Sequence, residues 1–354
     1  MKKLNYFLTG IFLIMASIFL VQGNLDKPRV LILHSYATDY RWVRDINIGL
    51  NRILADKPYA IRWHYMDTKR NPYKSYFKKA GQRARDMIDS WKPNVIVAID
   101  DNAQEYAAKY YVNHPTIKIV YSGVNAEPSK YQYDKANNVT GTLERIPFKV
   151  FQKVFHQILP ADKRRIIHVS DNSTTSKAIY QELEQIDWKK LKLVKSLKVD
   201  TFQQWKSAIK SAKDFGDILL ITHYHTIQVS DTDRNIVSPS KVIEWTKKNS
   251  SLPQIGCWGF FVDDGGMMAV AVSPYEQGED AAKMTVELIE SGKAPKSIKQ
   301  KKSKLFVISI NECSLKKHQI KLPDMLEAFA RATNHYIEMK KTEDCKPFPS
   351  QRSQ

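Results

Sequence analysis

Cysteine is scarce in this chain of 354 residues: there are three, Cys257, Cys313 and Cys345. None has a partner at the short spacing of a zinc site, so the thiols do not build a metal cage. Should two of them pair in an oxidising compartment, Cys313 with Cys345 is the bridge expected, because it staples a polar tail to the body while Cys257 sits in an apolar strand. Long apolar runs are equally scarce. One uncharged stretch, Phe7 to Val21, is rich in Leu, Ile and Phe, and nothing after it is long enough to cross a bilayer. Catalytic signatures are missing too: there is no nucleophile elbow, phosphate loop or zinc-protease helix. Acidic residues are outnumbered, 37 against 55 Lys and Arg, for a formal net charge of +18. Such a balance raises nucleic acid as a partner. The basic residues are dispersed, however, as in Lys189-Lys190, Lys247-Lys248 and Lys299 to Lys304, not interleaved with aromatics on one element. A solvated basic surface, with no nucleic acid partner, is the reading they favour.

The single apolar run follows Lys2 and Lys3 and is followed by Val21-Gln22-Gly23 and then by the polar stretch from Asn24 to Pro28. That is the pattern of a secretory signal. We expect residues 1–23 to be a signal peptide cleaved after Gly23, and the product to be soluble and periplasmic or secreted. An uncleaved anchor is the alternative; a run of about 15 residues is short for it, since a span needs roughly 20. No Cys stands near the cleavage point to carry a lipid. Export also argues against nucleic acid.

From Arg29 short β-branched or aliphatic runs alternate with amphipathic segments, which predicts α/β architecture with parallel sheets covered by helices. Strands are expected at Val30 to Leu33, Ile61 to Tyr65, Val95 to Ile99 and Ile117 to Tyr121, with helices at Trp42 to Leu54, Lys78 to Ser90 and Asn102 to Tyr111. The rhythm then repeats. Strands are expected at Arg165 to Val169, Lys192 to Val199, Ile218 to Thr222 and Gln254 to Trp258, with helices at Phe148 to Leu159, Thr175 to Ile186, Phe202 to Ala212 and Ser240 to Lys248. A strand at Met267 to Val272, a helix at Gly278 to Ser291 and a strand at Leu305 to Ile310 close the pattern. Lobe 1 is expected over 24–142, completed by about 272–300, and lobe 2 over 143–271, completed by about 301–333, with a polar tail at 334–354. The chain then crosses between the lobes more than once.

Ligands of parallel α/β sheets bind beyond the carboxyl ends of the strands, where helix N-termini and loops converge. Polar residues crowd there: Ser35 and Tyr36 after the first strand, Asp100, Asp101 and Asn102 after the third, and Ser122, Gly123 and Asn125 after the fourth. The second lobe offers Asp171, Ser173, His223, Tyr224, His225 and Trp258. Hydroxyls, amides, Asp and aromatic rings together suit a cleft for a small polar molecule. Each also has a plainer use, since Ser and Asp cap helices, Gly123 serves backbone geometry and Trp258 suits a core. The adjacent carboxylates Asp100-Asp101 and Asp263-Asp264 point to opposite faces if extended, so neither is automatically an acid and base couple. His223 and His225 share a face on an extended segment but have no third ligand nearby, so neither metal nor cofactor is expected.

These residues carry a resemblance. Val30 to Tyr36 with Trp42 and Ile48-Gly49-Leu50, Pro93 to Asn102, Tyr121 to Asn125, Asn138 to Thr142, and Trp258-Gly259 through Gly265-Gly266 to Gly292 resemble the solute-binding proteins of ABC importers with the type I periplasmic fold. The resemblance implies two Rossmann-like lobes joined by a three-strand hinge, closing on a small organic solute, an amino acid or a sugar, and docking on an ABC permease as a monomer. It implies a ligand among Ser35, Tyr36, Asn102, Ser122, Gly123, Asn125, Asp171, Ser173, His223, Tyr224 and Trp258. Tyr36 and Trp258 would stack on its apolar part, Asp171 would hold an ammonium, and Ser35 and Ser122 a carboxylate. A ligand-sensing subunit for a membrane signalling protein and an exported hydrolase are the alternatives.

Overall fold

The computed structural model describes residues 2–339 together with Cys345. Helix α1 (Lys2–Leu25) leaves Phe7, Phe12 and Phe19 exposed, and none of its described side chains joins either hydrophobic core. No helix among the described residues is long and apolar enough to cross a membrane.

Lobe 1 runs β1 (Arg29–His34), α2 (Arg41–Leu54), β2 (Ala60–Tyr65), α3 (Lys74–Trp91), β3 (Val95–Ile99), α4 (Asp101–Tyr106), β4 (Lys118–Val124) and β5 (Val139–Leu143). β1 and β3 are nearly unbroken aliphatic runs because helices cover both faces of the sheet. On α2, Trp42, Val43, Ile46, Leu50 and Leu54 recur at helical spacing and form the buried stripe. Lobe 2 runs α5 (Phe148–Ile158), β6 (Arg165–Asp171), α6 (Thr174–Glu184), β7 (Lys192–Val199), α7 (Phe202–Phe215), β8 (Ile218–Ile221), α8 (Pro239–Asn249), β9 (Gln254–Gly256), α9 (Phe260–Asp263) and β10 (Met268–Val272). Thr201 and Gln204 start α7 with a reciprocal capping box. The chain ends with α10 (Pro274–Glu290), β11 (Lys301–Lys302), β12 (Phe306–Asn311), α11 (Glu312–Lys317), α12 (Asp324–Ala332) and β13 (Tyr336–Ile337).

The first sheet has the order β11-β5-β4-β3-β1-β2, with every pair parallel. The second has the order β13-β12-β10-β9-β8-β6-β7, where only β10 with β12 is antiparallel. Three crossings join the lobes: after β5, between β10 and α10, and between β11 and β12. Late in the chain, α10 returns to lie along α2, backbone nearly against backbone. A Cβ on Gly49 would stand 2.3 Å from the Tyr275 carbonyl oxygen, and one on Gly278 2.2 Å from that of Ile46.

Two expectations change. The helix expected from Asn102 to Tyr111 breaks at Ala107 (φ −136°, ψ −67°), where a 3-10 turn, Ala108–Tyr111, takes over. The expected tail opens with β13, which pairs Tyr336 with Ile310, and Cys345 bridges Cys313 across a Cα separation of 5.1 Å. Residues 340–344 and 346–354 of that tail lie outside the described residues.

Candidate functional site

The carboxyl ends of both parallel sheets face one cleft, and the lobes touch across it. The Tyr36 hydroxyl lies 3.1 Å from Thr175 Oγ1, and Trp258 Nε1 donates to Glu144 Oε1 at 2.7 Å. Arg41 pairs with Asp263. Tyr40, just before α2, sets its ring edge against Tyr36 at 5.5 Å and His225 at 5.0 Å, and packs on Phe260 at 5.5 Å. Trp258 stacks parallel to Phe260 at 6.0 Å and lies 4.2 Å from the His223 ring. The cleft is therefore walled by aromatic rings from both sides.

Two cavities remain in it. The larger, about 540 Å³, is lined by Tyr40, Arg41, Lys69, His225, Phe260 and Asp264 among others. The smaller, about 250 Å³, is lined by Tyr36, Lys69, Asn102, Ser173, Thr175 and Thr226 among others. Around them Lys69 Nζ, Asp100 Oδ2, Asn102 Oδ1, Asn125 Oδ1, His223 Nδ1 and His225 Nδ1 are buried without a hydrogen-bond partner. Folded proteins pair nearly all such atoms, so a cluster of orphans at converging strand ends is the signature of a site that a ligand completes.

Seven of the residues singled out from sequence line or flank the cleft. Tyr36 and Trp258 link the lobes. Asn102 Nδ2 donates to Thr68 Oγ1 at 2.8 Å and Asn125 Nδ2 to Glu144 Oε2 at 2.9 Å, which leaves their amide oxygens unused. Asp171 accepts from Ser176 Oγ at 2.5 Å, Thr226 N at 3.1 Å and Ser173 N at 3.2 Å, so its oxygens are largely occupied. Ser173 caps α6, and His223 lies against Trp258. The other four belong to the frame. Ser35 Oγ donates to the Ile99 carbonyl and accepts from Ala103 N, both at 2.7 Å, tying β1, β3 and α4 together. Ser122 Oγ donates to the Gln277 carbonyl at 2.8 Å, and Gly123 N–H to Gln277 Oε1 at 2.9 Å, which fixes α10 on β4. The Tyr224 ring packs beside Trp205 while its hydroxyl donates to Asp264 Oδ2 at 2.6 Å. The Ser35 and Ser122 hydroxyls thus have partners within lobe 1.

Gly123 sits at φ +65°, and a Cβ there would lie 3.0 Å from Asp100 Oδ1. Gly123→Ala is therefore expected to lower stability by about 1–2 kcal/mol, read from the urea midpoint. A midpoint equal to wild type would contradict the strain.

The electrostatics follow from burial. Burial pushes Asp100 well above the usual carboxylate range, with nearby Glu144 adding to the shift and the Trp42 Nε1 hydrogen bond opposing it. Burial lifts Glu144 to about 8 against its hydrogen bonds from Trp258 and Asn125. Burial also lowers His225, to about 3, and His223, with the Lys69 charge reinforcing both, so the two imidazoles are neutral. Asp171 alone among these carboxylates is held below its usual range: burial opposes ionisation, but the charge of Lys69 and the Ser176 and Ser173 hydrogen bonds prevail.

The carboxylate pairs have separate tasks. Asp101 accepts from Asn125 N, Ala126 N and the Tyr131 hydroxyl inside lobe 1, while Asp100 faces Trp42. Asp263 serves Arg41, and Asp264 serves Tyr224. Among the described residues no group of three or more His, Cys, Asp or Glu side chains is placed to hold a metal ion.

Sequence reasoning passed over Lys69, Tyr40, Glu144 and Phe260, and it placed His225 at a strand end without counting it among the ligand contacts. The end of β2, Met66-Asp67-Thr68-Lys69, is a strand end like the others and was the signal for Lys69. Glu144 follows β5 directly, at the first crossing.

A two-lobed α/β molecule with a closed, aromatic-walled cleft at its strand ends is a binding protein of the type I periplasmic fold. The model of the ABC transporter substrate binding protein family matches residues 43–334, and the chain belongs to that family. Solved structures agree in fold. A conserved domain protein from Vibrio cholerae superposes with TM-score 0.66 at 18% identity, covering 86% of this chain and 98% of that one. An ABC domain in complex with L-Trp from Streptococcus pneumonia gives 0.65 at 15% identity, covering 85% and 98%. A ligand-free, open substrate binding protein with adhesive properties from Clostridium difficile gives 0.60 at 15% identity, covering 88% and 100%. No curated protein matches the chain.

Proposed function

We propose that this protein is an extracytoplasmic receptor that captures a small organic solute between its lobes and delivers it to an ABC permease, without catalysing a reaction. The observation that carries the reading is the cluster of orphaned buried polar atoms between aromatic walls contributed by both lobes. Such a cleft recognises polar groups by hydrogen bonds and stacks on the apolar remainder. The division of the aspartates among structural partners favours binding over acid and base chemistry. Helix α1, with bare apolar side chains and no part in either core, supports a signal segment removed after Gly23.

Tyr36, Asn102, Asn125, His223 and Trp258 are the contact residues this reading keeps, joined by Tyr40, Lys69, His225 and Phe260. A monomer suffices, since both halves of the cleft come from one chain. Native mass spectrometry of gently purified protein is expected to show a bound small molecule. Removing and restoring it should open and close the lobes, read as a change in scattering radius, and raise the melting temperature on restoration. Protein that carries no solute, and that neither closes nor gains stability with any metabolite fraction, would sink the reading.

A further inference from the structure

Among the described residues, Lys69 is the one buried cation that lines the cleft, and it lines both cavities. It is 7% exposed, and its ammonium has no hydrogen-bond partner. The nearest company is the face of Tyr36, whose ring centroid is 4.9 Å from Nζ. Long cationic side chains ordinarily carry their charge to water or to a carboxylate, because an unpaired buried charge is strongly disfavoured.

No side chain hydrogen-bonds it, although the charge of Asp171 lies close enough to favour it. Asp171, the ionised carboxylate nearby, has its oxygens engaged by Ser176, Ser173 and Thr226. Burial drives Asp100 and Glu144 towards their neutral forms. The other cations lining the larger cavity are different: Arg70 pairs with Asp67 and Asp39, Arg41 pairs with Asp45 and Asp263, and Arg44 is exposed to water. Those pairs are complete without a ligand, while Lys69 is not.

An ammonium supplies a point charge and three donors, which suits a carboxylate or similar oxyanion. Beside it, Tyr40, His225 and Phe260 offer flat apolar faces in the larger cavity, whose volume of about 540 Å³ suits a small organic molecule. Resting on the receptor reading above, the geometry points to an organic carboxylate as the solute class, with its anionic group on Lys69 Nζ and its apolar part against Tyr40, His225 and Phe260. Lys69 is then the residue that selects acids over neutral analogues.

Matched acids and amides test this: phenylacetate, benzoate and L-phenylalanine against phenylacetamide, benzamide and L-phenylalaninamide. Binding is followed by intrinsic tryptophan fluorescence and calorimetry on the full chain freed of co-purified solute. The acids are expected to bind the wild-type protein about tenfold or more tightly than their amides. Lys69→Met should abolish that preference, whereas Lys69→Arg should keep it. Ligand-free Lys69→Met should still unfold cooperatively, and Lys69→Arg, which keeps the charge beside Asp171, should melt close to wild type.

Amides that bind as well as acids, or a Lys69→Met protein that still prefers acids, overturn the assignment and leave the receptor reading standing. A neutral solute carried through purification does the same. A Lys69→Arg protein that folds as wild type yet binds acids no better than amides also overturns it. Failure to bind any probe, with no solute retained and no closure of the lobes, removes both proposals together.

Discussion

Replacing Trp258 with alanine is expected to lower stability by about 3–5 kcal/mol, the range for a large aromatic side chain removed from a packed site. Trp258 is 2% exposed, lies against His223 and Phe260, and reaches across the lobes to Glu144. Its loss opens a cavity and leaves a buried carboxyl oxygen without its donor, and both effects fall on the closed arrangement. Trp258→Phe retains much of the ring while deleting the N–H, so its cost should be about 1–2 kcal/mol, the hydrogen-bond part alone. Urea unfolding measures both, and scattering should show a larger radius for the alanine variant. If the two variants matched wild type within error, the link from Trp258 to Glu144 would have no part in holding the lobes together.

The second large effect is a change of slope with pH. His34, His168 and His225 are each lowered from 6.5 to about 3, chiefly by burial. The unfolded chain binds protons at these groups where the folded chain does not, so stability is full above pH 6.5 and lost as pH falls towards 3. Glu144 acts oppositely: raised from 4.5 to about 8 by burial, its folded form keeps a proton the unfolded form releases. Stability is therefore lost as pH rises from 4.5 through 8. Each group contributes on the order of 1.4 kcal/mol per pH unit in its window. Below pH 6.5 the three histidines outweigh Glu144. Above it Glu144 remains, joined up to about 7 by Glu182 and also by Asp100, both raised by burial.

The expected curve has its maximum near pH 6.5 and falls by about 2 kcal/mol between there and pH 8 on account of Glu144. Glu144→Gln cannot ionise and should lack Glu144's share of the alkaline decline, about 2 kcal/mol, while keeping the acid limb. Urea midpoints of both proteins from pH 4 to 9 decide the matter. Parallel curves would show that Glu144 does not carry the alkaline decline.

Much of the fold was legible because its inner strands are continuous aliphatic runs, while the edge strand Lys192–Val199 mixes lysines with aliphatic residues. Val95–Ile99 and Lys192–Val199 occur with the expected bounds, and other expected elements differ by a few residues at their ends. β5 is rich in Thr and Gly, and β11 is two lysines, so neither carries an apolar signal; each is held by its neighbours in the sheet. The site was legible as a region more than as a set of groups. Sequence offers Ser35 and Ser122 as free hydroxyls, but the close passage of β3, α4 and α10 decides that they are already engaged. Lys69 was hidden for the opposite reason. A lysine in a basic chain reads as solvated surface, and only the approach of the second lobe places its ammonium out of water.

The return of α10 onto α2 governs when this protein can fold during its synthesis. The ribosome releases β1 through β5 early, but the core they form lacks the helix that covers β4 until residues 274–290 emerge. The second sheet in turn waits for β12, whose range is Phe306–Asn311. Each half thus lacks an element until nearly all of the chain has been made, and folding is expected to wait for it, as pulse proteolysis of stalled, truncated chains would show. A chain kept open in this way is well suited to be threaded, still unfolded, through a narrow channel.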